Sequence, residues 1–269
     1  MISVCLGKNM AGIPEELSET DPNAAFRAQS RVAELEEQLR LESGRAAAAE
    51  NELDEILHFI SHDLRAPLRG IDGYSRALLE DYNTQLDQMG KAYLQYICES
   101  SSRLNQLIEG LLKYSRIIRH PLEIGFVDLS EMAAEISRDL RTKQPGRVVE
   151  FDITPGLAAE ADVEMTYILL KCLLDNAFKF TAKHPSAQIE FGLTEEHGQP
   201  VFFIRDNGAG FDMAYQNQLF LPFQRLHGQH EFEGLGLGLA TAKRIIQRHH
   251  GRIWGAGALE KGATFYFVI

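Results

Sequence analysis

His58-Phe59-Ile60-Ser61-His62-Asp63-Leu64-Arg65-Ala66-Pro67-Leu68 is the stretch from which the rest of the chain can be placed. Read backward, Ile60, Ile56, Leu53, Ala49, Ala46, Leu39, Leu35 and Val32 fall on alternating steps of four and three, with one gap at Glu42. That spacing is a heptad seam. Val32, Leu39, Ala46, Leu53 and Ile60 hold one apolar position, and Leu35, Ala49 and Ile56 the other. His62 lies two residues past the seam and so points to solvent, beside an acid, Asp63, that can orient its ring. Pro67 removes a backbone donor one turn further on, which predicts a bend. An exposed imidazole beside a carboxylate, just ahead of a bend, suits a nucleophile. The plainer reading of the same residues is a surface histidine on a coiled coil.

Downstream, the helix carrying His62 is expected to run to about Tyr82 through Leu64, Leu68, Ile71, Tyr74, Leu78 and Leu79. Asn83–Gly90 reads as a turn. Tyr93, Leu94, Ile97, Leu104, Leu107, Ile108, Leu111, Leu112 and Tyr114 then recur at helical spacing. Two helices of about 30 residues make a hairpin about 45 Å long. One hairpin cannot bury both apolar faces, whereas two make a four-helix bundle, so a homodimer is expected. Upstream, residues 25–53 are rich in Glu, Gln, Arg, Ala and Leu and read as a coiled-coil signalling helix. Residues 1–24 lack periodicity and read as a loose tail.

Past Arg119-His120-Pro121 helix and strand signals alternate. Phe126–Leu129 is expected to be extended and Ser130–Arg141 a helix capped by Ser130. Arg147–Ile153 alternates like a strand, and Val163–Ala182 is a long helix. Ile189–Leu193 and Val201–Arg205 are strands, Thr241–His250 is a last helix, and Gly251–Trp254 and Ala263–Val268 are closing strands. The mixture predicts a two-layer α/β sandwich.

Three stretches of this half carry polar chemistry. Asn176 and Lys179 lie one turn apart on an otherwise apolar helix. A buried carboxamide there is costly unless it is used, as a Mg²⁺ ligand or in a bond to backbone. Asp206-Asn207-Gly208-Ala209-Gly210-Phe211 follows a strand. Its glycines permit tight turns and close approach to a ligand, although Asp-Asn-Gly is also a common turn. Gly234-Leu235-Gly236-Leu237-Gly238-Leu239 precedes a helix and can cradle phosphate on backbone amides. A dinucleotide fingerprint would need a preceding strand and an acid about 20 residues on. A Walker loop would need a closing Lys-Ser or Lys-Thr. Neither is present. Between Phe211 and Glu233 periodicity is weak, as in a lid. Phe220 and Phe223 are placed to anchor it, and Arg225 and His227 to face phosphate. His249 and His250 read as solvated surface side chains.

The composition narrows the options. A formal charge of −11 argues against nucleic acid or an anionic membrane as partner. Cys5, Cys98 and Cys172 show no paired spacing and read as reduced thiols of a cytoplasmic protein. No apolar run approaches the roughly 20 residues that span a bilayer. Sensor input is therefore expected from outside this chain.

Taken together, the His62 stretch, Leu173–Thr181, Asp206–Phe211 and Gly234–Ala240 resemble, in order, the phosphoacceptor and ATP-site boxes of bacterial sensor histidine kinases of the phytochrome type. The resemblance covers roughly residues 50–269. It implies a dimerisation and phosphotransfer domain over 54–120 and a catalytic ATP-binding domain over 121–269. The implied fold is multidomain α and α/β, a dimeric four-helix bundle followed by a gyrase-like ATP-binding sandwich. It assigns His62 as phosphoacceptor, with Asp63 as its orienting group and general base. Asn176 would bind Mg²⁺. Lys179, Asp206, Gly208, Gly210, Arg225, Gly234, Gly236 and Gly238 would bind ATP, Lys179 at phosphate and Asp206 at the adenine amino group. The implied reaction is autophosphorylation followed by phosphotransfer to a response-regulator receiver domain. Two residues depart from the pattern. Ala66 stands where phosphatase-competent relatives carry Thr or Asn. Cys172 stands where many relatives carry Asn and the gyrase ATPases carry a water-activating Glu. A gyrase-like ATPase and a nucleotide-binding scaffold without kinase activity are the rival classes. The first gives His62 no role, and intact Asn176 and Asp206 argue against the second.

Overall fold

The computed structural model describes residues 22–119, 121–226, 231–232 and 234–269, without the side chains of most of residues 22–58 and of residues 118–119. Chain contacts divide the molecule at Leu53/Asp54. α1 spans Pro22–Asp81 and continues through Pro67. The seam side chains Val32, Leu39, Ala46, Ala49, Leu53 and Ile56 lie outside the described residues.

In the second unit, α2 (Gln88–Arg119) starts inside the expected turn. The carboxylate of Asp87 fixes that start by accepting the Gly90 amide at 2.7 Å, one orphan donor of the first turn satisfied. Seven-residue stripes are buried on both helices of the hairpin: Ser61, Leu68 and Ser75 on α1, and Ser101, Ile108 and Ser115 on α2. Serine alternates with one large apolar side chain along each stripe. Leu64, Ile71 and Leu78 form a second, exposed stripe on α1.

The sandwich begins with β1 (Ile124–Asp128), which pairs antiparallel with β3 (Ala158–Asp162) as a separate two-stranded ribbon. The main sheet has five strands in the order β2-β4-β5-β7-β6. These are β2 (Val149–Ile153), β4 (Ala187–Glu196), β5 (Gln199–Asp206), β6 (Arg252–Gly257) and β7 (Ala263–Val268). Only β2–β4 is a parallel pair. On β7 the alternation is clean: Ala263, Phe265 and Phe267 face the core, whereas Thr264, Tyr266 and Val268 do not.

Three helices, α3 (Leu129–Lys143), α4 (Val163–Phe180) and α5 (Gly238–Arg248), cover one face of that sheet. α4 is the central one and is apolar nearly all round. Leu169, Leu170, Leu173 and Leu174 are fully buried against Ile136 of α3, Ile245 of α5 and Phe191 and Phe267 of the sheet. Each such side chain contributes about 1.5–3 kcal/mol. Burial on two sides of α4 fixes its rotation, and that rotation sets where Asn176 and Lys179 point.

Several expectations change. α3 starts one residue earlier than expected because Asp128, not Ser130, is the cap: its carboxylate accepts the Glu131 amide at 2.8 Å. The Ser130 hydroxyl instead donates to Thr154 O and accepts from Leu157 N. β3 was not legible, since Ala158-Ala159-Glu160-Ala161-Asp162 has little strand propensity and is extended by its pairing with β1. His249 is not a solvated side chain. Its Nδ1 donates to Ile245 O at 2.9 Å, and its Nε2 accepts the Asp162 amide at 3.1 Å.

Candidate functional site

Asp206 ends β5 and is 4% exposed. Burial raises its carboxyl to about 6, against the opposing backbone hydrogen bonds of Gly208 and Ala263. The Gly208 amide donates to it at 2.9 Å. The following loop is locked under the end of α4, where Ala209 N donates to Phe180 O at 3.0 Å. A Cβ on Gly208 would stand 2.4 Å from that same carbonyl, so only glycine fits. Gly210 has φ +61° and lies as tightly against Ala258 O.

Asn176 and Lys179 project from α4 toward the glycine run. The Asn176 carboxamide oxygen is 3.9 Å from the point a Gly238 Cβ would occupy. The Lys179 ammonium lies 4.2 Å over the Phe180 ring and 3.3 Å from the corresponding point of Gly234. Burial, and then the Arg225 cation, pull that ammonium down to about 8, against the attraction of Asp175. Two converging cations and a depressed lysine mark a place that favours an anion. The N-terminus of α5 adds to it. Its N-cap is Leu237, which offers no side-chain bond to the first-turn amides, so they point at whatever binds there.

These groups share one cavity of about 1130 Å³. Asn176, Lys179, Asp206, Gly210, Arg225, Gly234, Gly236 and Gly238 all line it. Gly208, expected at the nucleotide, does not: it serves the Phe180 turn behind the wall. Arg225 donates to Phe232 O. Phe220 anchors the lid, edge-on to Phe265, but Phe223 does not: it is half exposed with φ +62°. His227 lies outside the described residues.

The cavity fits an adenine nucleotide, with a buried carboxylate at one end and cations with open helix amides at the other. It fits a cation less completely. Among the described residues no group of three His, Cys, Asp or Glu is placed to hold a metal. Mg²⁺ at Asn176 would therefore take most of its oxygens from phosphate and water. Cys172 also lines the cleft, and enclosure pushes its thiol up to about 12. It is neutral at physiological pH and is no substitute for a carboxylate base.

The remaining wall was not foreseen. It comes from α2, through Gln106, Gly110, Lys113 and Arg116 among others. Leu235 and Leu237 of the glycine run reach Gly110, and Arg248 of α5 donates to Ile117 O at 2.6 Å. The signal was present in sequence: a glycine inside a helix costs about 1 kcal/mol against alanine and asks for a packing reason.

His62 and Asp63 sit apart from this cavity on α1, and no described residue of α1 lines it. Their side chains are 79% and 56% exposed, with His62 Nδ1 3.1 Å from Asp63 Oδ1. Because a carboxylate only accepts, Nδ1 carries a proton in this contact, and in the neutral ring Nε2 is then the nitrogen with the lone pair.

Comparison with known proteins agrees with this arrangement. Residues 161–269 match the Histidine kinase-, DNA gyrase B-, and HSP90-like ATPase family, and residues 52–119 match the His Kinase A (phospho-acceptor) domain. The two matches together take in more than half of the chain. Cyanobacterial phytochrome A of Nostoc sp. is 33% identical over 220 residues, 81% of this chain and 28% of that protein. The structure of full-length ShkA in complex with AMPPNP aligns with a TM-score of 0.54 and 25% identity, over 79% of this chain and 45% of that one. Histidine kinase ThkA, solved in complex with response regulator protein TrrA, shares the fold at a TM-score of 0.52 and 23% identity, over 79% of this chain and 60% of that one. The chain thus spans less than a third of the phytochrome and under half of ShkA. A phospho-acceptor helical hairpin followed by a gyrase-like ATP-binding sandwich, matched in both halves, makes this chain a member of the sensor histidine kinase family.

Proposed function

We propose that this chain transfers the γ-phosphoryl group of ATP to His62 and passes it on to an aspartate of a response-regulator receiver domain. The observation that carries the reading is the pairing, in one compact unit, of an exposed His62–Asp63 couple with a cleft that holds Asp206, Asn176 and Lys179. Asp206 would accept the exocyclic amine of adenine, and Lys179, Arg225 and the α5 amides would hold phosphate. Mg²⁺ on Asn176 would neutralise phosphate charge. Asp63 would keep the Nδ1 proton in place, so that Nε2 is the attacking nitrogen. The new bond is then Nε2–P, the bond to the ADP oxygen breaks, and ADP departs. Such transfer rests mainly on positioning and charge stabilisation.

A second copy completes the hairpin. Leu64, Ile71 and Leu78 of α1 and Ile97 and Leu104 of α2 are exposed along it in one chain. A partner hairpin would bury both stripes as a four-helix bundle. No helix among the described residues is long and apolar enough to cross a membrane.

The test is incubation with γ-labelled ATP and Mg²⁺. Acid-labile, alkali-stable label on the protein, absent in His62→Ala while ATP binding persists, is the expected result. Released phosphate without label would identify a gyrase-like ATPase, and neither would leave a nucleotide-binding scaffold. Label that survives in His62→Ala would move the acceptor elsewhere.

A further inference from the structure

α4 delivers Lys179 to the cleft on its last turn, and that turn must end somewhere. A helix C-terminus leaves four carbonyls without intrahelical donors. Here each has a donor. Ala177 O receives Thr181 N at 3.2 Å and Thr181 Oγ1 at 2.7 Å. Lys179 O receives Ala182 N at 3.1 Å, and Phe180 O receives Ala209 N at 3.0 Å. Phe178 O lies 3.1 Å from that same hydroxyl and, from outside the helix, receives Arg147 Nη1 at 2.5 Å.

Arg147 makes more than that bond. Its Nη2 donates to Thr181 Oγ1 at 2.7 Å, so one guanidinium spans the whole last turn. The planar group lies 4.2 Å over the Phe178 ring. Phe178 stacks on Phe151, which carries Arg141 at 5.0 Å. Arg147 is set in place by the turn after α3, where its amide donates to Gln144 O at 3.0 Å. A fixed cation at a helix C-terminus also meets the negative end of the helix dipole.

We infer that Arg147 is a positioning residue for the nucleotide site: by clamping Phe178 O and Thr181 it sets the turn that carries Lys179 and the Phe180 carbonyl that holds the Asp206–Gly210 loop. The inference rests on the nucleotide reading above. Arg147 does not line the cleft, so it touches no ligand and acts through α4 alone. Its loss should loosen both ends of the site together, the ammonium at phosphate and the loop beneath adenine. Chemistry at His62 should be untouched once ATP is bound.

The experiment compares Arg147→Met and Arg147→Lys with the wild-type chain in KM and kcat for histidine labelling, in equilibrium affinity for a fluorescent ATP analogue, and in amide exchange. For Arg147→Met the expected result is a KM and Kd for ATP raised about tenfold, with kcat little changed. The Ala209 amide should exchange faster while amides between β4 and β5 stay protected. Lysine keeps the charge and one bond, and should recover most of the loss if methionine is too damaging to read. A lower melting temperature with KM, Kd and Ala209 exchange all unmoved would overturn the inference, leaving Arg147 a packing residue. A wild-type protein that fails to bind ATP would overturn the nucleotide reading itself and this role with it. A wild type that binds, with variants that match it, would overturn the role alone.

Discussion

Replacing Gly110 with alanine should loosen the contact between α2 and the glycine run without weakening the fold. The added methyl would stand 2.7 Å from Leu237 Cδ1 and 3.1 Å from Leu235 Cδ1. Comfortable carbon contacts lie near 3.5–4.0 Å, and overpacking of this kind costs about 1–3 kcal/mol. Leucine ends can swing, so the low end, about 1–2 kcal/mol, applies. Alanine also favours the helix over glycine by about 1 kcal/mol, whether or not the glycine run is docked. Overall stability should then stay near that of the wild type, because the two terms offset. Docking feels only the clash, and its equilibrium shifts about five- to thirtyfold toward release. Since the cleft faces α2 and not His62, release should speed labelling of His62. Cys172, which lines the cleft, should react faster with a thiol reagent, read peptide by peptide beside Cys98. Gly70→Ala is the control: nothing lies within 4 Å of its Cβ position, so it should gain helix stability and nothing else. Unchanged Cys172 reactivity and unchanged labelling in Gly110→Ala would refute the reasoning. Slower labelling would show that the docked arrangement is the productive one.

Three further outcomes follow from the site. Asp206→Asn should abolish ATP binding yet raise the melting temperature. Burial makes the charged form of this carboxyl the costlier one in the fold and holds it near 6. Between about 4 and about 6 the unfolded chain binds fewer protons than the folded one, so Asp206's contribution is full at low pH and is lost as pH rises through about 6. Removing the buried charge at neutral pH is worth about 1–3 kcal/mol, and equal melting of both proteins would show the burial to be harmless. ATP affinity by calorimetry should fall above about pH 8, as the Lys179 ammonium loses its proton, and below about pH 6, as Asp206 gains one. Adenosine should show the acid limb alone, and an alkaline limb for adenosine as well would take Lys179 out of the phosphate site. Asn176→Ala should lose Mg²⁺-dependent labelling at unchanged melting temperature; a fall in melting with normal activity per folded molecule would make the amide structural.

What could be read from sequence was whatever depends on neighbours along the chain. The four-three spacing places His62 outside the seam, and the structure leaves it exposed. The one-turn spacing of Asn176 and Lys179 puts both into one cleft. Ala263–Val268 is a strand from end to end. What escaped depends on distant partners. β3 is a strand only because β1 lies beside it. Two capping residues, Asp128 and Ser130, compete for one helix start, and the loser is claimed by Leu157 and Thr154 across the fold. His249 looks like a surface residue until the Asp162 amide, far back in the chain, is brought to its Nε2. Gly208 reads as a ligand-approach glycine, yet the backbone it approaches is Phe180.

The strand order has a consequence for how the sandwich is made on the ribosome. β7 is the last of these strands in sequence, but it lies between β5 and β6, with Phe267 fully buried near its end. Until it emerges, β5 has no neighbour on that side and β6 has none at all. Synthesis proceeds at about 5–20 residues per second, so the open edge of β5 is on offer to other chains for seconds after β5 itself is complete. The α1–α2 hairpin has no such dependence, because its two helices are adjacent in sequence. A nascent chain should therefore carry a formed hairpin ahead of an unfinished sheet, and on the pairing proposed above two such chains on one polysome would meet through their hairpins before either sheet is complete.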